Sequence, residues 1–226
     1  MNWNDRGYLL SKNKYNENSI IAEFFTENHG KCSGIIFGAS SKKIKNYLQI
    51  GNILHINHTF KNVSKIGYFK VEILNALTPQ FFDNKNKLMC IASAMNLVKI
   101  LTVDAQENVK VFELISHFFN FLPKNDWIKN YIFWELELLK LVGYDLELKK
   151  LANEEIINNQ VKYYAKSNYE KKFIPNFLVD ENVTKLNNKD LLQGLRLVGD
   201  YLDKSILRPN NINPPISRVD FVNLLK

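Results

Sequence analysis

The chain has 226 residues, of which 46% are hydrophobic and 23% are charged, and this composition excludes a disordered chain. Its length suggests one or two domains. The formal net charge of +7 favours an anionic partner. The two cysteines, Cys32 and Cys90, lie far apart without a Cys-x-x-Cys motif, which argues against a disulfide framework and a zinc cluster.

The positive charge is concentrated in the first third of the chain. Residues 1–78 contain ten Lys and Arg against five Asp and Glu, whereas residues 79–226 contain twenty against eighteen. Clustering of this kind is better evidence for nucleic-acid binding than total charge is. The N-terminal residues contain no apolar signal sequence, and no run of about 18 uncharged apolar residues occurs. The sequence therefore predicts a cytoplasmic protein that does not span a membrane.

Alternating apolar and polar residues predict five strands in the first third of the chain, at residues 7–14, 19–27, 31–37, 49–60 and 67–77. Gly30, Gly34 and Gly38 punctuate this region at intervals of four, where turns or close backbone approaches require glycine. Five strands within about 75 residues favour a small closed barrel of the Greek-key OB type, which leaves no free sheet edge.

The pattern changes at Pro79, after which helical periodicity predicts helices at residues 86–101, 108–122, 126–142, 190–207 and 217–225. The intervening residues 149–188 are polar and weakly periodic, with a possible short hairpin within residues 161–173. We therefore predict an α+β protein with two domains. An OB-type five-stranded β-barrel occupies residues 1–78, and an α-helical domain with a possible hairpin insertion at 149–188 occupies residues 79–226.

Lysines on the barrel are the first candidates for binding DNA. Lys42, Lys43 and Lys45 follow Gly38 on a predicted exposed connection and form a small cationic tip suited to phosphate groups. Weaker candidates lie at strand ends or outward positions: Lys12, Lys14, Lys31, Lys65, Lys70 and Arg6. Their alternative role is solubility, and for Arg6 an ion pair with its neighbour Asp5.

Aromatic side chains of the barrel region are candidates for base stacking, as in other OB folds: Tyr8, Tyr15, Phe37, Tyr47 and Tyr68. The favoured interpretation of Phe37 is burial in the core, whereas Tyr47 is kept as a candidate DNA contact. His55 and His58 are three residues apart on a strand, point to opposite faces and predict no metal site. No P-loop, HExxH motif or nucleophile elbow occurs, so we predict neither an enzyme nor a cofactor.

Three segments taken together resemble the RecO family of bacterial recombination mediators. They are TENHGKCSGIIFGASSKK with LQIGN, FWELELL with VGYDLEL, and LLQGLRLVGDYL. The resemblance implies an OB fold with a helical domain, binding to single- and double-stranded DNA, strand annealing, and help in loading RecA onto gaps coated by single-strand binding protein (SSB). It also implies cytoplasmic, nucleoid-associated localisation.

The resemblance further implies that RecR docks on the OB domain and that the acidic, Phe-ending tail of SSB docks on the helical domain. Arg196 is the candidate for the tail carboxylate, because guanidinium pairs with such groups; the alternative is an ion pair with Asp200. Two features depart from the family pattern. Ser40 stands where the family often has arginine, and the segment after DLELKK lacks the zinc-binding cysteines of some members, so we predict no zinc.

Two other functions remain open at this point. A basic OB barrel also suits a module that binds RNA or the ribosome. A hydrolase or transferase with a site between the domains is a third possibility, against which the lack of a convincing nucleophile or acid–base set argues.

Overall fold

The structure is a computed structural model, and it describes residues 2–60, 66–158, 160–166, 171–180, 182–183 and 186–226. The chain forms two compact units. Unit 1 consists of Met1–Pro123 with Pro215–Phe221, and unit 2 consists of Lys124–Pro214 with Val222–Lys226. None of the helices in these residues is both long and apolar enough to cross a membrane.

Unit 1 begins with a closed five-stranded barrel, formed by β1 (Trp3–Asn16), β2 (Ser19–Thr26), β3 (Gly30–Phe37), β4 (Ile53–Thr59) and β5 (Gly67–Asn75). The strands follow one another around the barrel in the order β1-β2-β3-β5-β4, and β4 pairs back with β1. Among the described pairings of these five strands, that of β3 with β5 is parallel and the others are antiparallel. This arrangement confirms the predicted five-stranded barrel of the OB type followed by helices.

The barrel closes around alternate apolar side chains of every strand, including Leu9, Phe24, Ile36, Leu54 and Ile56, each almost completely buried. Two of its glycines have a clear structural reason. A Cβ at Gly34 would lie 2.7 Å from the Phe69 ring, so only glycine lets β3 approach β5. Gly30 has a φ of 64°, which strains other residues.

The lysine segment between β3 and β4 is a short helix, α1 (Lys42–Tyr47), where the sequence predicted only an exposed connection. Ser41 caps this helix, because its hydroxyl accepts a hydrogen bond from the backbone N–H of Ile44 at 3.4 Å. Ile44 and Tyr47 pack against the barrel core, while the lysines remain exposed. The helix therefore presents its charge outward.

Two long helices, α2 (Lys85–Leu101) and α3 (Val109–Phe121), follow the barrel and belong to unit 1. Tyr8 of β1 is 4% exposed and packs against rings of α3, with centroids 5.1 Å from Phe112 and 6.0 Å from Phe119. It is therefore part of the packing between the barrel and α3, and it is not available to stack on a base. The start of α7 (Ile216–Leu224) also belongs to this unit.

Unit 2 is built from helices and one small sheet: α4 (Trp127–Leu141), α5 (Leu148–Leu151), β6 (Ala152–Ile157), β7 (Gln160–Lys166), β8 (Lys171–Ile174) and α6 (Asn188–Leu202). A Cβ at Gly194 of α6 would lie 2.7 Å from Phe177 and 3.2 Å from Ile132, so glycine permits close packing against α4. A single π-helical segment, Asp203–Leu207, extends α6.

The polar segment predicted to contain a hairpin contributes three antiparallel strands, in the order β6-β7-β8. The predicted hairpin corresponds to β7 and β8, and its connecting residues 167–170 lie outside the described residues. The strand β6 was not predicted. The domain boundary predicted after residue 78 stays a prediction; the compact unit that contains the barrel also contains α2 and α3.

Candidate nucleic-acid interface

An open groove lies along the side of the barrel where β3 and β5 meet. Within the described residues the two strands pair in register at two positions, Gly34 with Gly67 and Ile35 with Tyr68. The end of β3, one side of α1 and the middle of β5 line a groove of about 720 Å³. We call this the barrel groove; its lining consists of Ile36, Phe37, Lys43, Ile44, Tyr47, Thr59 and residues 68–73.

Five of the residues considered from sequence come together in the barrel groove: Phe37 of β3, Lys43 and Tyr47 of α1, and Tyr68 and Lys70 of β5. Both lysines are exposed, and neither forms an ion pair with any residue that the structure describes. Glu72, also exposed, is the acidic side chain in the lining. The groove therefore combines two available cations with an apolar floor.

The other lysines of α1 extend this positive surface. Lys42 and Lys45 are exposed, and within the described part of the chain neither has an acidic partner. Lys12 lies at the other end of the helix, where its Nζ donates to the carbonyl oxygen of Leu48 at 2.5 Å. Burial, followed by the charge of Lys45, lowers the pKa of Lys12. Lys12 therefore both supports α1 and adds to its charge.

Lys31 has a structural role that the sequence did not indicate. Its Nζ donates to the carbonyl oxygens of Lys99 and Thr102, each at 2.7 Å, and lies 3.2 Å from a carboxylate oxygen of Asp104. Its side chain is only 13% exposed. The ammonium thus joins β3 to the C-terminal end of α2, and this geometry does not support the predicted DNA contact.

Arg6 is also engaged, and its partner is Glu27 rather than Asp5, the neighbour considered as an alternative. The guanidinium forms a bidentate pair with Glu27. Its Nε donates to Oε2 at 2.7 Å, and its Nη2 donates to Oε1 at 2.5 Å. The hydrogen bond with Glu27 raises the pKa of Arg6. Because the side chain of Arg6 is still half exposed, a phosphate would have to compete with Glu27.

Asp5 is buried and holds the turn that follows β2. Its carboxylate accepts hydrogen bonds from the backbone N–H of Arg6 at 2.8 Å and of Asn28 at 2.9 Å, and contacts Nδ1 of His29 at 2.8 Å. Burial alone raises the pKa of Asp5, but these hydrogen bonds outweigh it and hold the pKa below its usual value. The group therefore stabilises the barrel and does not form part of a binding surface.

Two predicted lysines remain, Lys14 and Lys65, of which only Lys14 is among the described residues. Lys14 is exposed near the end of β1, opposite Ile20 of β2, without an ion pair among the described residues. Lys65 lies outside the described residues.

The aromatic residues of the groove correct one expectation. Phe37 was predicted to be part of the core, but it is 57% exposed, because Ile36 occupies the inward position at the end of β3. Its ring stacks on Tyr68 of β5, with centroids 5.3 Å apart and planes 21° from parallel. Tyr15, near the β1–β2 turn, is also 57% exposed. Ile35 and Ile36 are both buried and Phe37 follows them directly, so this apolar run contains no alternation that would show from sequence that Phe37 is exposed.

Two side chains of unit 1 that could take part in proton transfer or nucleophilic attack, His58 and Cys32, are fully or partly buried. His58 is 4% exposed, its Nδ1 has no hydrogen-bond partner among the described residues, and burial lowers its pKa. Burial likewise raises the pKa of the Cys32 thiol to about 11, which makes it a poor nucleophile. Among the described residues, no group of three or more His, Cys, Asp or Glu is placed to hold a metal ion.

Unit 2 has a smaller pocket of about 260 Å³ between the end of β7, the strand β8 and α6. Leu146, Leu148 and Leu197 give it an apolar wall, and its lining includes three lysines and Asp200. Lys172 is paired with Asp200 and Lys166 with Glu155, whereas Lys204 has no ion pair among the described residues. Arg196 is exposed and does not line this pocket. The predicted pair between Arg196 and Asp200 is not formed, since Asp200 contacts Lys172 at 2.6 Å.

Comparison with known proteins identifies the family. The model described as Recombination protein O N terminal matches residues 1–77, and the model described as Recombination protein O C terminal matches residues 84–211. This chain belongs to the RecO family. The resemblance inferred from the three sequence segments is thereby confirmed.

Several relatives carry the name DNA repair protein RecO. The chain is 30% identical to the protein of Rickettsia canadensis over 222 residues, which cover 93% of this chain and 91% of the relative. It is 27% identical to the protein of Wolbachia pipientis, covering 95% and 96% of the two chains, and 29% identical to that of Rickettsia bellii, covering 97% and 95%. Membership of the RecO family supports a role in DNA repair.

A solved asparaginyl-tRNA synthetase from Entamoeba histolytica is similar to this chain at a TM-score of 0.28 and 11% identity, covering 94% of this chain and 59% of the synthetase. That similarity is too low to support an argument about fold or function.

Proposed function

We propose that this RecO-family chain binds single- and double-stranded DNA through the lysines of α1 and the barrel groove, and that it anneals complementary strands during recombinational repair. The observation that supports this most directly is the group of exposed lysines without acidic partners among the described residues: Lys42, Lys43 and Lys45 on α1 and Lys70 on β5. When such unpaired cations bind phosphates, they displace the counterions condensed on the DNA, and the release of these counterions drives association.

Annealing by this surface needs no bond chemistry. Two DNA strands repel each other through their phosphates, and a cationic surface that neutralises part of this charge lowers the cost of bringing them together. The protein then acts as a non-enzymatic mediator. If the four free lysines each contact one phosphate of a single strand, the logarithm of affinity should fall with the logarithm of salt with a slope of about −3.

A charge reversal on α1 tests this assignment. The double variant Lys42→Glu, Lys43→Glu should bind both single strands and duplexes more weakly, with a slope shallower by about 1.4 on a single strand, because two phosphate contacts are lost. The matched control reverses two other exposed lysines, Lys110→Glu with Lys124→Glu, which changes the net charge equally. Fluorescence titrations at several salt concentrations measure both quantities. Equal losses in the two variants would contradict the proposal, since only total charge would then matter.

The annealing step is tested with complementary oligonucleotides, one of them labelled, in the presence and absence of SSB. The wild-type chain should accelerate duplex formation, and the α1 variant should do so less at the same concentration. A competition gel between single-stranded DNA and structured RNA addresses the alternative of an RNA- or ribosome-associated module. Preferential binding of the RNA would favour that alternative.

We further propose partners for each unit: RecR for the barrel, the acidic tail of SSB for unit 2, and RecA indirectly through SSB-coated gaps. The pocket in unit 2 supports the second of these, because an apolar wall beside the exposed ammonium of Lys204 complements an acidic peptide that ends in phenylalanine. Lys204 is the most suitable lysine to change, since it is exposed and forms no ion pair in the described part of unit 2.

Calorimetry with a synthetic acidic peptide tests this site. Lys204→Glu should weaken binding several-fold, and removal of the terminal phenylalanine from the peptide should weaken it further. Arg196→Glu tests the residue predicted from sequence, which lies outside the pocket lining. A loss with Arg196→Glu alone would assign the tail to a different surface of unit 2.

A further inference from the structure

We infer that the barrel groove accepts unpaired bases, which stack against the Phe37–Tyr68 pair, so that unit 1 distinguishes single-stranded from paired DNA. This inference rests on the proposed DNA binding and adds what the groove recognises. It does not follow from the lysines, because phosphates are present in both single strands and duplexes.

The first observation is the exposure of Phe37 together with its fixed orientation. A phenylalanine ring that is 57% exposed forgoes most of the stabilisation that burial would give it. This ring nevertheless stacks on Tyr68 at a centroid distance of 5.3 Å. The stack extends from β3 to β5 and keeps both rings in place before any ligand binds. A preformed aromatic surface of this kind binds bases without a large ordering cost.

The second observation is the way the barrel opens beside this stack. The last pair of β3 with β5 in the described part of the chain is Ile35 with Tyr68, and the groove continues past it. Its volume of about 720 Å³ lies in the range of sites for small ligands. The groove is therefore large enough to hold unpaired bases.

The third observation is the distribution of charge around the groove. Lys43 on α1 and Lys70 on β5 offer ammonium groups to phosphates, whereas Glu72 stands two residues beyond Lys70 on the same strand. Phosphates are attracted to the lysines and repelled by the carboxylate. The carboxylate instead suits the amino groups of bases, which are hydrogen-bond donors. Tyr68, Lys70 and Glu72 share the outer face of β5, so a strand on this face can place its backbone near the lysines and its bases near the stack and the carboxylate.

Duplex DNA cannot use such a stack. In a duplex each base already stacks on its neighbours, and only its edges are accessible in the grooves. An aromatic side chain gains a base face only if the base is unpaired or leaves the helix, which costs a few kcal/mol. The barrel groove therefore contributes to binding of single strands and adds little to binding of duplexes.

The experiment compares three labelled ligands with the full chain: a thymidine oligonucleotide, the same backbone with abasic sites in place of the bases, and a duplex. Phe37→Ala should bind the thymidine strand about tenfold more weakly and bind the abasic strand and the duplex unchanged. Phe37→Tyr should restore binding of the thymidine strand. The matched control is Phe82→Ala, which removes another exposed phenylalanine (55% exposed) outside the groove and should leave all three affinities unchanged.

A second readout is independent of affinity. An oligonucleotide that contains 2-aminopurine loses fluorescence when the base stacks on an aromatic ring, and this quenching should disappear in Phe37→Ala at saturating protein. Unchanged binding and quenching in Phe37→Ala would overturn the inference and leave the lysine-based proposal intact. An equal loss on the abasic strand would also overturn it, as would loss of binding to a partner protein without loss of DNA binding. If wild-type protein binds none of the three ligands, the proposed function fails as well.

Discussion

Replacing Lys31 with methionine separates a lysine that holds the fold from one that binds DNA. Methionine keeps an unbranched stem in the same space but removes the two hydrogen bonds that Nζ donates to the carbonyl oxygens of Lys99 and Thr102. Each hydrogen bond from a charged donor contributes about 1.5 kcal/mol. The contact with Asp104 adds little, because that carboxylate is 80% exposed. Lys31→Met should therefore lower the free energy of unfolding by about 3 kcal/mol.

The matched variant is Lys43→Met, which removes an exposed ammonium without a described acidic partner and should change stability by less than about 0.5 kcal/mol. Urea unfolding, followed through hydrogen exchange of the β3 amides, measures the stability of unit 1 itself. With a slope of about 2 kcal/mol per molar urea, the midpoint of Lys31→Met should fall by about 1.5 M. DNA titrations should show the opposite ranking. Unchanged stability of Lys31→Met, or a loss of DNA affinity equal to that of Lys43→Met, would refute the assignment of Lys31 as a structural residue.

Three further outcomes follow from the packing of the barrel. Gly34→Ala should lower the free energy of unfolding by about 1–3 kcal/mol, because the new Cβ would lie 2.7 Å from the Phe69 ring; urea unfolding measures this, and an unchanged midpoint contradicts it. Burial lowers the pKa of His58, so its stabilising contribution is present above the unfolded-state pKa of about 6.5 and is lost as pH falls. The free energy of unfolding should therefore decline less steeply between pH 7.5 and 5 in His58→Gln than in the wild type. Identical slopes of the unfolding free energy against pH would contradict this. With a pKa raised to about 11, Cys32 should react with iodoacetamide at pH 8 about a hundredfold more slowly than an ordinary thiol, as mass spectrometry of the labelled peptide would show; reaction at the ordinary rate would contradict its burial.

Alternation predicted β4 and β5, where buried and exposed residues take turns along most of the strand. The strands β1 to β3 bury consecutive residues, and their apolar runs between polar turns were enough to predict them. Where neither signal is present, the prediction failed. The helix α1 has only six residues, and only Ile44 and Tyr47 face the core, so no helical period is visible in the sequence. The strand β6 contains Ile156, which is 73% exposed, and therefore lacks the buried face by which a strand is recognised.

The residues of the candidate site were predicted one by one, but their grouping was not. Lys43, Tyr47 and Lys70 lie on two different elements, and the groove that joins them depends on how far β3 and β5 pair, a long-range property. Lys31 was likewise assigned to the DNA surface because its actual contacts are long-range. Its partners are main-chain carbonyls 68 and 71 residues away, and no side-chain pattern reveals them.

The charge of the barrel region therefore overstates its capacity for phosphates, because folding itself uses part of that charge. Lys31 neutralises the carbonyl end of a helix, Arg6 is held by Glu27, and Lys12 supports the end of α1. A cation with such a partner gains less from a phosphate, since the existing contact must first be broken. The lysines of α1 incur no such cost, because the helix is too short to bury them and carries no acidic residue to pair with them. The same local sequence that makes α1 hard to recognise as a helix thus leaves its charge available for a ligand.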